Sequence, residues 1–361
     1  MSEAATIEHL RSALGNRPAT ALSPLPGTNE KRQPRRLQRR CGTHSEALAA
    51  ATRRRIAVNQ VVNTSSEYRA TTLGIWTALS AVYLIWGSTY LAIRFTVETM
   101  PPFLSAAARF IISGAFLYVW RRAAGDPAPT KLEWRNASII GVLLLVGGNG
   151  GVVWAAQYIP SSLAALLVAT VPLWMLLFDA IRPGGERPRS KALTGISIGF
   201  CGAALLIGWT AGDATPQSFY GALAVVLASF FWAIGSIYGK TSELPASPLV
   251  TTGIEMLVGG IVQILVGSIF GEFGTLDLAL VSSRSALAWA YLTVIGPIAF
   301  VAYAWLLRVA PIPLVATYSY VNPLVAIILG YFLGKEIITP RILLAAGLII
   351  GSVVLVSRRE R

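Results

Sequence analysis

Between residues 74 and 357 the chain is a succession of long apolar runs, joined by connections too short to fold on their own. The runs cover 74–93, 103–120, 137–157, 162–181, 192–209, 219–238, 249–270, 286–307, 312–333 and the shorter 342–357. A helix needs about 20 mostly apolar residues to cross a hydrocarbon core about 30 Å thick. The runs are continuous, without the two-residue alternation of barrel strands, so they predict helices. The expected fold is an all-α integral membrane protein of ten transmembrane helices. Composition agrees, with 13% charged and 54% hydrophobic residues, where a soluble domain carries about a quarter charged.

The same accounting excludes several chemistries. Both histidines, His9 and His44, precede the apolar region, and the two cysteines, Cys41 and Cys201, share no motif. No histidine relay, metal site or disulfide framework follows, and no cofactor is expected. The net charge of +13 concentrates at the start, where residues 1–72 hold twelve Lys/Arg and five Asp/Glu. Its core, "KRQPRRLQRR" at 31–40, lies among Pro, Ser, Thr and Ala with no sustained period, the pattern of a disordered tail. Attraction to anionic lipid suits it better than nucleic-acid binding. A misassigned start is the competing reading of residues 1–60, because no methionine lies between Met1 and Met100 and a start near Val58 or Val61 needs a non-ATG codon. No apolar stretch opens the chain as a cleavable signal would.

Charge also orients the spans. With the first end cytoplasmic, that side collects Arg121, Arg122, Lys131, Arg135, Arg182, Arg187, Arg189, Lys191, Lys240, Arg308, Arg358, Arg359 and Arg361. The other side holds Arg284, Lys335 and Arg341, with Arg94 at a helix end. The positive-inside rule then places both ends in the cytoplasm.

The tetrad "GSTY" at 87–90 recurs as "GSIY" at 235–238. At an offset of 146, Pro102, Arg109 and Gly114 meet Pro248, Glu255 and Gly260; at 151, Trp154, Pro160, Leu163, Ala165 and Pro172 meet Trp305, Pro311, Leu314, Ala316 and Pro323; at 152, Gly195 and Gly199 meet Gly347 and Gly351. Order is kept throughout, so the chain is two repeats, 73–210 and 217–357. Five spans per repeat is odd, so the second must insert upside-down. That is the inverted repeat of secondary transporters, which opens one central site to either face in turn.

The segments "LIWGSTYLAIRF", "AARFIISGAFLY" and "GNGGVVWAAQYIPSSLAALLVATVPLW" resemble the EamA-domain family of the drug/metabolite transporter superfamily, over about 74–357. The resemblance implies ten helices in two EamA repeats, an inner-membrane location, and movement of small metabolites, often outward. It fixes no substrate, and the basic tail is not part of the family pattern.

Charges at bilayer depth are functional by default. Asp179 has Arg182 three residues on, which predicts a local pair at a helix end. Arg109 and Glu255 each lie seven residues past a matched proline, about 10 Å deep, entering from opposite faces. They are expected either to form a buried bridge locking the repeats, or to break that bridge so that Arg109 binds a substrate carboxylate. Glycines surround Asn149 in "GGNGG", and Trp154 and Gln157 follow at spacings that allow a shared helix face. Trp86, Ser88 and Tyr90, with Trp232 and Ser236 of the second tetrad, complete the candidate cavity. In "TYSYVNPL", Tyr318 and Asn322 precede Pro323; that proline and Pro172 are the expected kinks. Gly195, Gly199, Gly347 and Gly351 are expected to pack helices.

A cavity of aromatics, amides and one cation suits an amino-acid-like or weakly acidic solute better than a polyphosphate. The partners expected are that solute and lipid, with no nucleic acid; a homodimer stays open. The rival class is an intramembrane enzyme, since "GISIG" at 195–199 matches GxSxG. It lies mid-helix without a histidine, and its counterpart "GLIIG" keeps only the glycines, so packing explains it. A scaffold or channel is the remaining alternative, distinguished by the absence of counterflow.

Overall fold

The computed structural model describes residues 71–181, 190–213 and 216–357. Residues 1–70, with the basic tail, lie outside those residues, as does Arg182 of the anticipated Asp179–Arg182 pair. All long elements described are helices: α1 Thr72–Val97, α2 Pro102–Ala123, α3 Lys131–Gly141 continuing through a π-helical Val142–Gly150 into α4 Gly151–Ala155, α5 Ser161–Val168, α6 Val171–Ile181, α7 Ser190–Asp213, α8 Pro216–Thr241, α9 Pro248–Ile269, α10 Ser283–Val294, α11 Gly296–Val309, α12 Ile312–Val315, α13 Tyr318–Phe332 and α14 Pro340–Ser357. Seven helical segments are long and apolar enough to cross a membrane, and three shorter apolar ones cover Leu193–Leu205, Tyr318–Phe332 and Pro340–Ser352.

Local chemistry sets the boundaries. Thr71 caps α1 by accepting from Gly74 N, and Thr130 with Glu133 forms a reciprocal capping box on α3. Proline opens both α2 and α9, where its missing N–H costs nothing. Each of these two helices is 22 residues long. Each is followed by a glycine with positive φ, Gly125 at 97° and Gly271 at 74°, a conformation that strains any residue with a Cβ. The two helices are therefore the same unit written twice, start and stop signals included.

The long helices of one half pack mainly on those of the other. α2 lies on α9 and α7 on α14; α1 packs on α10, α11 and α13, as α8 packs on the π segment, α4 and α6. α2 and α9 run antiparallel. A Cβ on Gly260 would press on Ala107 O at 3.0 Å, whereas one on Gly253 would press on Tyr118 N at 3.0 Å. α7 and α14 are antiparallel too, with Gly199 against Ser352 and Gly202 against Ile349. Gly195 is buried, but a Cβ added to Gly347 or Gly351 would meet no neighbour within 4 Å. The expectation that they pack is corrected: α14 presents Ala345, Ile349 and Ser352 to α7, roughly a turn apart, and its glycines fall on the exposed side.

The fourth run of each half is broken. α5 ends and α6 begins around Ala169 and Thr170; α12 and α13 meet around Ala316 and Thr317. Both breaks spell Leu-Val-Ala-Thr, at 167–170 and 314–317, and each threonine hydroxyl donates to the leucine carbonyl three residues back. α5 has eight residues and α12 four, a difference of about one helical turn. Pro172 consequently sits second in α6, whereas Pro323 sits sixth in α13. The expected pairing of these prolines does not hold, because the second half lacks a turn between Pro311 and Leu314.

Candidate functional site

A narrow central cavity lies where the two broken runs meet α1, α2, the π segment, α8 and α11. About 60 Å³ of it admits the centre of a water-sized sphere. Trp86 and Tyr90 come from α1, Arg109 from α2, Asn149 from the π segment, Trp232 from α8, Phe300 from α11 and Tyr318 from α13. Six of the residues expected from sequence thus converge.

Arg109 is 4% exposed. Its Nη2 donates to Asn149 Oδ1 at 2.6 Å, and its guanidinium lies 4.2 Å from the Phe110 ring centre. No carboxylate pairs with it among the described residues. Asn149, which meets the cation, stands in the π segment, a feature often found at functional sites. Gln263 of α9, fully buried, donates into that segment at Leu145 O. The glycines let α8 close on the segment: a Cβ on Gly147, Gly148 or Gly151 would lie within 3.0 Å of Phe231, Trp232 or Ala228.

Aromatic rings, with aliphatic side chains between them, make up most of the rest of the wall. Trp86 contacts Trp232, Phe300, Tyr303 and Tyr318 at centroid distances of 5.3, 5.4, 4.9 and 5.4 Å. Trp232 Nε1 and Tyr318 OH are buried and meet no acceptor in full hydrogen-bond geometry among the described residues, although both stand beside the Tyr303 hydroxyl. The cavity therefore offers one buried cation in largely apolar surroundings, and no carboxylate lines it. That set is complementary to an anionic group on an otherwise apolar molecule.

Glu255 does not join Arg109, which corrects the expected bridge. In the antiparallel α2–α9 pair Arg109 lies beside Gly260 and Glu255 beside Gly114. They are five residues apart along the pair, about 7.5 Å. Glu255 instead lines a second chamber of about 290 Å³ with Ser236, Lys240, Tyr303 and Arg308. Phe300 lines both spaces, so the aromatic cluster forms the wall between them. Ser236 bonds Tyr303 OH at 2.8 Å and Trp232 O. Ser88 bonds Tyr291 OH at 2.6 Å and Ile85 O, holding α1 to α10 outside the cavity. Trp154 faces an outer groove with Tyr158 and Tyr220, and Gln157 is exposed and folds back on Trp154 O. Asn322 is buried and does not line the cavity; with its amide turned to suit the acceptors around it, it would donate to Tyr83 O and Tyr318 O at 3.2 Å.

Sequence reading passed over Phe300, although it stands at Asn149 plus the offset of 151. It also passed over two acidic residues that clamp the halves together. Glu336 accepts from Ser161 N and Oγ, both at 2.7 Å, and from Ser162 N and Oγ at 3.1 and 2.7 Å. Glu272 accepts from Phe103 N and Leu104 N at 3.1 and 2.8 Å. Each thus caps a first-half helix from a second-half loop, where a negative charge is favoured. Asp126, at Glu272 minus 146, is instead gripped by Arg121 Nε and Nη2 at 3.0 and 2.6 Å, which holds its carboxyl below the usual range.

The model of the EamA-like transporter family matches residues 72–208 and again 219–358. The chain belongs to that family of membrane transporters. It is 40% identical over 287 residues to the uncharacterized inner membrane transporter YedA of Escherichia coli K12, covering 79% of this chain and 91% of that one. Against the uncharacterized transporter YoaV of Bacillus subtilis it is 22% identical over 270 residues, covering 74% and 91%. A protein of known crystal structure aligns with a TM-score of 0.55 and 22% identity over 79% of this chain and 98% of that one, a likeness of fold.

Proposed function

We propose that the chain is a secondary transporter that moves a small, weakly acidic or amino-acid-like metabolite across the inner membrane, outward, by alternating access. Ten spans form two inverted repeats around the central cavity, with both ends cytoplasmic. The antiparallel packing of α2 on α9 and of α7 on α14 supports inversion, since each pair consists of corresponding elements of the two halves. The thirteen basic residues on one side support the orientation.

The observation that carries the substrate class is the buried Arg109 guanidinium, held by a single neutral acceptor inside an aromatic wall. A carboxylate accepts two parallel N–H bonds from such a group, and Trp86, Trp232 and Phe300 supply apolar surface for its ring or chain. The test is counterflow in proteoliposomes preloaded with unlabelled L-phenylalanine, benzoate or indole-3-acetate, reading entry of the same labelled compound. Wild type should accumulate at least one label transiently, and Arg109→Gln should not. Equal counterflow by both would remove Arg109 from substrate binding.

A further inference from the structure

Glu255 is 7% exposed and accepts no hydrogen bond or ion pair among the described residues. Its own backbone is pinned, because a Cβ on Gly141 of α3 would collide with Glu255 O. An ionised carboxylate held there has no direct partner, and the Arg308 charge acting through space offsets its desolvation only in part, a cost that uptake of one cation removes. The groups that face it decide which cation.

From α11 come Arg308 and Tyr303; from α8 comes Lys240; α3 and the π segment contribute only Ile140 and Leu144 to the chamber. On α2, Arg109 is turned into the central cavity. Arg308 is exposed and already occupied, donating to Pro245 O, Ala246 O and Thr251 Oγ1 at 3.0, 2.9 and 2.9 Å. Tyr303 OH is bonded to Ser236. A metal ion would need several oxygen ligands, but beside one carboxylate and the Tyr303 hydroxyl the chamber offers only the hydroxyls of Ser236, Ser242 and Thr251, the first and last already bonded, and two side chains of like charge to the metal. No cluster of three metal-ligating residues exists among the described residues. A proton needs no further ligands.

We infer that Glu255 is the protonation site through which this transporter is coupled to a proton gradient, loaded from the chamber that Lys240 and Arg308 border. The inference rests on the transporter reading above. Two contacts link the site to the substrate cavity. Tyr303 stands in the chamber and touches Trp86, a wall of the cavity, at a centroid distance of 4.9 Å. The neighbouring turn of α9 meets the Arg109 helix backbone to backbone at Gly253 and Gly114. A change of charge at Glu255 therefore acts on the wall and on the helix that carries the substrate's cation.

The full chain in nanodiscs, titrated with pH and followed by infrared difference spectroscopy without ligand, should show a protonated carboxyl band that Glu255→Gln abolishes. In proteoliposomes, using whichever of L-phenylalanine, benzoate or indole-3-acetate wild type exchanges, Glu255→Gln should still exchange. Its accumulation driven by an imposed pH gradient should fall at least tenfold. A band unchanged in the variant, or gradient-driven accumulation equal to wild type, overturns the inference while leaving the transporter reading standing. Absence of wild-type counterflow with all three probes overturns that reading, and the coupling role with it.

Discussion

Arg109 and Asn149 are joined by one hydrogen bond of 2.6 Å, between a buried cation and an uncharged amide. The amide orients the guanidinium without neutralising it. Asn149→Asp would supply the missing counter-ion and close the site to anions. Binding of a carboxylate probe that wild type binds should then weaken by at least the worth of one charge-assisted bond, about 1.5–3 kcal/mol. Equilibrium binding to detergent-purified protein reads this directly. A variant that binds the probe as wild type does would show that Arg109 does not hold the anion.

Trp86 touches four aromatic rings in the wall between cavity and chamber. Truncation to alanine removes those contacts and leaves a hole, at about 3–5 kcal/mol for a large buried aromatic. Phe300→Ala is the milder probe of the same wall, since Phe300 borders both spaces. It should let a preloaded probe leak from proteoliposomes without external substrate, faster than wild type. A leak equal to wild type would mean that the wall is sealed elsewhere.

Much of this arrangement is legible in the residues. The long apolar runs announce the helices, and the offset of 146 between α2 and α9 carries their prolines and, unremarked, their terminal glycines. Arg109, Asn149, Trp86 and Trp232 stand out as polar or large groups where apolar or small ones are the rule. Phe300 does not, because one phenylalanine in an apolar run looks like any other; only its place opposite Asn149 in the repeat marks it. Ser88, Trp154 and Gln157 mislead for a related reason. Depth in a span is readable from sequence, but the face of the helix depends on neighbours that bond it, as Tyr291 does Ser88. The Arg109–Glu255 bridge fails on register, which symmetry of sequence cannot reveal. The missing turn before Leu314 is visible in the doubled Leu-Val-Ala-Thr, a better anchor than the prolines.

The α2–α9 contact leaves no room for side chains at its crossing. A methyl on Gly114 would lie 2.7 Å from Leu257 N and 2.8 Å from Gly253 O, both backbone atoms that cannot rotate away. Gly114→Val should therefore force the pair apart, and with it the helices that hold Arg109 and Glu255. The expected result is loss of a monodisperse peak in size-exclusion chromatography. Gly274→Ala, where nothing lies within 4 Å, is the matched control and should behave as wild type.

Glu336 gathers four donors from Ser161 and Ser162 across the two halves, and Gly330 makes room for it, since a Cβ there would lie 2.7 Å from Glu336 Oε2. Arg94 stands nearby, its Nε 3.9 Å from Glu336 Oε1 and its Nη1 on Ile159 O. Loss of a helix cap costs about 0.5–2 kcal/mol, too little to unfold a protein this size but enough to shift two states of similar energy by roughly 2- to 30-fold. If this clamp closes the face bearing Arg94 and Lys335, Glu336→Gln should favour the state open to that face. Tyr90→Cys, in the central cavity, with both Cys41 and Cys201 replaced, would report it. Its labelling by a membrane-impermeant maleimide, added from the clamp's side, should quicken severalfold when Glu336→Gln is introduced. Unchanged labelling, in a variant that elutes as wild type does, would show that the carboxylate staples the halves without gating them.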